Sequence, residues 1–232
     1  LKQIKIISIN TGMPQTMSFG KKEIQSGIQK KPIPTEKVFL TRVGFEGDGQ
    51  ADLVHHGGPD KAVCVYPYEH YEYWSEYLQE KLQLGAFGEN LTLLGVAEKD
   101  VCIGDVFQLG EAVVQISQPR QPCYKLSARY NNKSLPLAFE ETGFTGYYFR
   151  VLEEGYVSSS STITRLQSDS QQISVAYANQ IRHIEKENTE GIKKILAVEA
   201  LSSNWKEAFE KRLAGMTGDE TLRREGESGQ KS

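Results

Sequence analysis

What most constrains the fold of this chain is a change of texture near residue 166. Before it, short stretches of β-branched and aromatic residues recur between glycines; after it, apolar residues recur at three-to-four spacing. The first pattern predicts strands over residues 3–9, 36–43, 62–66, 90–94, 105–109, 112–118, 147–152 and 161–166. Many short strands on long glycine-bearing connections, without regular β-α-β alternation, predict a predominantly β fold with helices, a barrel-like sheet over residues 1–166. Two helices should interrupt it. One covers 67–82, with Pro67 in its first turn and Tyr71, Trp74, Leu78 and Leu82 along one face; the other covers 134–142, with Ser134 as N-cap and Gly143 as stop.

Residues 167–172 (QSDSQQ) form a polar linker, and three short amphipathic helices complete a second unit to residue 216. Their stripes are Val175, Ala178, Ile181 and Ile184, then Ile192, Ile195 and Leu196, then Trp205, Phe209 and Leu213. This small bundle carries almost no chemistry-competent side chains, which suits docking, a homodimer contact or stability alone. Residues 217–232 are poor in apolar side chains and are expected to be disordered.

A chain of 232 residues with a formal charge of -3 gives no electrostatic reason to expect nucleic acid as a partner. Three cysteines do not make a disulfide framework, and with no leader or apolar span read at the start (LKQIKIISIN) the expectation is a cytoplasmic protein without a membrane segment.

One of those cysteines stands apart. Cys64 (KAVCVY) and Cys102 (DVCIGDVF) sit in apolar runs, as packed core thiols do. Cys123 lies in QPRQPCYKL, where Pro119 and Pro122 stiffen the approach and Arg120, Lys125 and Arg129 are near in sequence. Cationic neighbours favour the thiolate, the nucleophilic and metal-ligating form, although a buried apolar thiol fits the same residues. A second cluster is GFEGDGQADLVHHGGPDKAV, residues 44–63, with His55 and His56 in a glycine-rich loop. Adjacent side chains in an extended segment face opposite ways, and no Cys-X-X-Cys or His-Glu-X-X-His pair supplies further ligands, so one histidine as proton donor is a better reading than zinc. In GAFGEN, residues 85–90, backbone amides and Asn90 can bind a polar ligand edge, while Glu89 can cap a turn or pair with Lys61.

Taken together, GDGQADLVHHGGPDKAVCVYPYEHYEYW (47–74), GAFGENLTLLG (85–95), DVCIGDVFQLG (100–110), QPRQPCYKL (118–126) and TGYYFRVLEEG (145–155) resemble the MOSC domain family, named after the C-terminal domain of molybdenum cofactor sulfurases. The likeness is nearest to its YiiM-type members, whose three-helix appendage the second unit resembles. The resemblance implies a β-barrel-like core binding the molybdenum cofactor, a molybdopterin, with Cys123 as the protein thiolate on the metal. It implies reduction of N-hydroxylated compounds such as hydroxylaminopurines and amidoximes in detoxification. An external flavin or iron-sulfur reductase would supply electrons, because the chain has no evident flavin, haem or iron-sulfur motif. Arg120, Lys125, Arg129 and Lys61 are then candidate cofactor contacts, and His56 and Asn90 candidate hydrogen-bonding groups at cofactor or substrate. Phe144 departs from the pattern, since many relatives are expected to carry a basic residue there. A cofactor or sulfur carrier using Cys123 without turnover is the competing function, and a thiol hydrolase a third.

Overall fold

Eight strands of the computed structural model hydrogen-bond into one curled sheet. The structure describes residues 3–20, 22–34, 37–49, 57–216, 218 and 220–226. In chain order the strands are β1 (Lys5–Thr11), β2 (Gln15–Phe19), β3 (Lys22–Ser26), β4 (Lys31–Pro32), β5 (Lys37–Thr41), β6 (Gly44–Phe45) and β7 (Val63–Pro67). There follow α1 (Tyr71–Leu78), β8 (Leu91–Leu94), β9 (Val106–Leu109), β10 (Ala112–Pro119), α2 (Tyr124–Tyr130), α3 (Leu135–Thr142), β11 (Tyr147–Glu153), β12 (Gly155–Ser158) and β13 (Ile163–Gln167). The large sheet runs β13-β9-β10-β11-β7-β8-β1-β4; β12, β5 and β6 form a second sheet, and β2 and β3 a separate hairpin. Only β7 and β8 pair in parallel within these sheets, because α1 lies in their connection and gives the chain length to return in the same direction.

Alternation sets which face is buried. Tyr147, Phe149 and Val151 of β11 point inward with Val114 and Ile116 of β10. The helix expected over 67–82 is shorter than its pattern. Pro67 closes β7, a single 3₁₀ turn follows, and α1 ends where Gln79 takes a left-handed φ of 52°. Its Tyr71 and Trp74 pack with Tyr66, Phe87 and Phe139 in a satellite core. The helix after Ser134 forms as expected and stops at Gly143, φ 70°.

Beyond the sheets come α4 (Val175–Asn179), which runs into a π turn over Gln180–Ile184, then α5 (Thr189–Leu196), α6 (Ser203–Leu213) and α7 (Thr221–Glu225). Val175, Ala178, Ile181, Ile192, Ile195, Trp205 and Phe209 are buried as their stripes predict. Ile184 corrects the first stripe: it is 59% exposed, because the wider π turn rotates it off the buried face. These residues share one continuous apolar cluster with the barrel side chains, so bundle and barrel are built on the same core. The tail also corrects its expectation in part. Helix α7 is ordered by ion pairs of Arg223 and Arg224 with Glu140 rather than by apolar burial. Among the described residues no helix is long and apolar enough to cross a membrane.

Candidate functional site

Strand β10 ends at Pro119, and the chain then turns through Arg120, Gln121 and Pro122 before α2 begins. Cys123 is the N-cap residue of α2, extended at φ -137° and ψ 171°, and only 8% exposed. It faces a cavity of about 80 Å³ lined also by Lys30, Lys61, Cys64, Phe87, Gly88, Asn90, Arg120, Gln121, Lys125 and Tyr148. That volume holds several waters or a compact polyatomic anion. Among the described lining residues four side chains are cationic and none is a carboxylate.

Arg120 is the most constrained of the four. It is buried, its Nη2 donates to the Phe87 carbonyl at 2.6 Å, and its backbone N–H donates to the Gly146 carbonyl at 3.0 Å. Its Nη1 has no hydrogen-bond partner among the described residues. Burial works against the guanidinium charge, but Cys64, Tyr148, Cys123 and Glu89 hold it protonated above the usual range. The Lys30 ammonium, by contrast, pairs with buried Asp48, whose other contacts are the Gly12 N–H at 2.9 Å and the Asn90 amide at 2.8 Å.

Asn90 lines the cavity as an organiser of its wall. Its Oδ1 accepts from the Cys64 N–H at 3.1 Å while Nδ2 donates to Asp48 and to the Asn10 carbonyl. Glu89 does not pair with Lys61. It is fully buried and accepts from the Tyr71 hydroxyl, from Thr92 at 3.0 Å and from the Phe87 N–H at 2.9 Å, capping the loop.

The loop needs its glycines. Gly88 has φ +79°, and a Cβ there would stand 2.9 Å from Ile28 Cγ1 and 3.1 Å from the Ile28 backbone. Arg129 corrects the sequence reading. Its guanidinium donates to the carbonyls of Ile28 (2.5 Å) and Gly85 (3.1 Å), so it ties two wall loops together and is not among the lining residues. Phe144 likewise stands elsewhere, stacked on the His70 ring at 3.8 Å. His55 and His56, including the catalytic role read for His56, lie outside the described residues.

Three lining residues escaped the sequence reading. Cys64 was read as a core thiol; it is buried but lines the cavity, because β7 pairs it directly with Tyr148 of β11 on the same face. The Tyr148 side chain stands across this strand pair from Cys64 and works to lower the Cys64 pKa. Burial raises both pKa values, so at neutral pH Cys64 is a thiol and Tyr148 a phenol. Lys30 is the third, and only its distance in sequence from the other lining groups concealed it. The arrangement is thus an electropositive pocket with two cysteine sulfurs on its wall.

Known proteins resemble this chain along most of its length. The family model "MOSC domain" matches residues 52–164, and "YiiM-like, 3-alpha helix domain" matches residues 173–215. The uncharacterized protein YflK of Bacillus subtilis (strain 168) is 51% identical over 91% of this chain and 95% of its own length. The crystal structure of YiiM from Geobacillus stearothermophilus, 40% identical, superposes with a TM-score of 0.78 over 90% of this chain and 99% of that one. A protein of Gibberella moniliformis named a reductase is 36% identical over 62% of this chain, which spans 26% of its length.

Proposed function

This chain belongs to the MOSC domain family, in its YiiM-like branch, and on that premise we propose that it is a molybdenum-cofactor-dependent reductase of N-hydroxylated compounds. The substrates are small molecules such as hydroxylaminopurines and amidoximes, and the role is detoxification in the cytoplasm. The reaction balances as R–NHOH plus two electrons and two protons giving R–NH₂ and water. When bound, the cofactor supplies the two-electron, oxygen-accepting chemistry, and an external flavin or iron-sulfur reductase supplies the electrons.

The single observation that carries this reading is buried Arg120, which lines the cavity beside Cys123 with Nη1 unpartnered among the described residues. A buried donor left without an acceptor costs about 1–3 kcal/mol, a cost that an anionic ligand removes. The residues fit the group: a thiolate from Cys123 would hold the metal, and Arg120, Lys61 and Lys125, with Lys30 beside Asp48, would hold its anionic parts. Within the same pocket Tyr148 keeps a phenolic proton, and His56 is the proposed proton donor. The presence of a reductase among the relatives is consistent with this class of reaction.

The test is metal analysis of gently purified wild type and Cys123→Ser, with turnover of a hydroxylaminopurine given a competent electron donor. Stoichiometric molybdenum that disappears on substitution, together with turnover, is the expected result. Unchanged molybdenum in the variant would remove Cys123 from the ligand role, and loaded protein without turnover would leave the carrier reading in its place.

A further inference from the structure

Three residues around Cys123 are held by other parts of the chain, and the two grips before it come from the C-terminal helices. Gln121, two residues before it, has its side-chain oxygen against the Arg182 guanidinium of the π turn, with Nη2 donating at 2.6 Å once the amide is oriented by that contact. Pro122, the residue just before it, has its carbonyl held by Arg223 Nη1 of α7. Tyr124, just after it, packs its ring on Phe19 at 5.3 Å and against the backbone of Gly226.

The two arginines are themselves fixed. Arg182 is buried over the Trp205 ring at 4.9 Å and pairs with Glu220 at 3.2 Å. Arg223 donates to Glu140 of α3 at 2.6 Å and to Glu220 at 2.7 Å, so Glu220 joins the two grips. A planar guanidinium suits this use because its donors diverge at fixed angles and can hold a carbonyl and two carboxylates at once.

We infer that Arg182 and Arg223 are positioning residues for Cys123, and that the helical domain with α7 is a clamp on the cysteine loop. The inference rests on the reading that Cys123 acts through its sulfur, and it gives the bundle a task at the site that docking or stability alone does not. A proline-stiffened loop still needs its ends fixed; the clamp supplies that at Gln121, which also lines the cavity, and at Pro122.

Alkylation of the full-length protein by iodoacetamide, followed cysteine by cysteine by mass spectrometry across pH, tests this without any cofactor. In Arg223→Gln and Arg182→Gln the rate of Cys123 alkylation, or the pH at which it rises, should shift by about fivefold or half a pH unit, while Cys64 and Cys102 stay near their wild-type rates. Arg223→Lys keeps the charge against Glu140 but lacks the fork, so it should behave as the Gln variant does at Cys123. Wild-type alkylation of Cys123 in both Gln variants overturns the inference, as does acceleration of all three cysteines together, which marks general loosening. Rescue by Arg223→Lys would reduce the clamp to charge alone and overturn the positioning role of its geometry. Loss of the metal-ligand reading for Cys123, seen as molybdenum retained in Cys123→Ser, is a separate outcome that leaves these rates unchanged.

Discussion

At the scale of single residues, Arg120 and Tyr148 set the chemistry of the cavity in different ways. Arg120 offers a charged donor with no acceptor among the described residues, and a hydrogen bond to a charged group contributes about 1.5–3 kcal/mol. Arg120→Met should therefore weaken cofactor retention roughly ten- to a hundredfold, read as molybdenum content after graded dialysis. Arg120→Lys should recover part of that, since a point charge replaces a fork. Tyr148 acts on the neighbouring sulfur. Burial raises the Cys64 pKa most, the Arg120 charge opposes it, and the Tyr148 hydroxyl, a potential donor to the thiolate, lowers it further. Removing that donor in Tyr148→Phe should push the Cys64 thiol higher still, so its alkylation at mildly alkaline pH slows relative to Cys102 in the same sample. A faster Cys64 would mean the hydroxyl shields the sulfur more than it stabilises the thiolate.

At the scale of elements, the cavity wall depends on how closely the loop before β8 approaches the segment after β3. Gly88→Ala places a Cβ 2.9 Å from Ile28 Cγ1 at a φ of +79°, so strain and overpacking add. The expected cost is about 2–4 kcal/mol, measured as a shift in the urea midpoint at constant slope. A loss below that range would mean that Ile28 yields and the wall is softer than its contacts imply. Eight strands of the large and second sheets were legible in sequence: β1, β5, β7, β8, β9, β10, β11 and β13. What escaped was short or polar: β2 and β3 form a largely exposed hairpin with no buried face to write a pattern, β4 and β6 have two residues each, and β12 has four. Helix α2 escaped because it follows directly on two prolines and its seven residues, with Leu126 the one buried aliphatic side chain, are too few to write a helical stripe. At the site, Cys123, Arg120, Lys125, Asn90 and Lys61 were singled out by local chemistry or resemblance and do line one cavity. Cys64 and Tyr148 needed the strand register, and Arg129 pointed the wrong way because helix phase within so short an element cannot be read from charge alone.

For the whole molecule, two features decide whether barrel and bundle behave as one body. The first is the buried Glu140, which binds Arg223 and Arg224 of α7 and His183 of the π turn. Burial works against its charge, but the His183 ring 3.5 Å away, the hydrogen bonds from Arg224 and the charge of Arg223 hold its carboxyl well below the ordinary value of 4.5. Burial also lowers His183 from 6.5, despite the opposing carboxylate. A depressed carboxylate contributes stability above its unfolded pKa and loses it as pH falls. A depressed imidazole acts in the same direction, because the unfolded state takes its proton first. Melting temperature should accordingly fall below about pH 6.5 and more steeply below about 4.5, and Glu140→Gln should flatten the acidic limb. The second feature is the shared apolar cluster, which carries a sharper prediction through the chain's two tryptophans. Trp74 reports on the barrel's satellite core and Trp205 on the bundle, and both are buried. In Trp205→Phe the fluorescence of Trp74 follows the barrel alone; in Trp74→Phe that of Trp205 follows the bundle. Each variant lowers stability by its own lost packing, so each fluorescence curve is compared with the far-UV circular dichroism of the same variant. If one core serves both parts, the two signals coincide in each variant. A bundle that melts ahead of the barrel would separate them in Trp74→Phe, and would mean that Val175, Ile181, Ile195 and Phe209 close a core of their own.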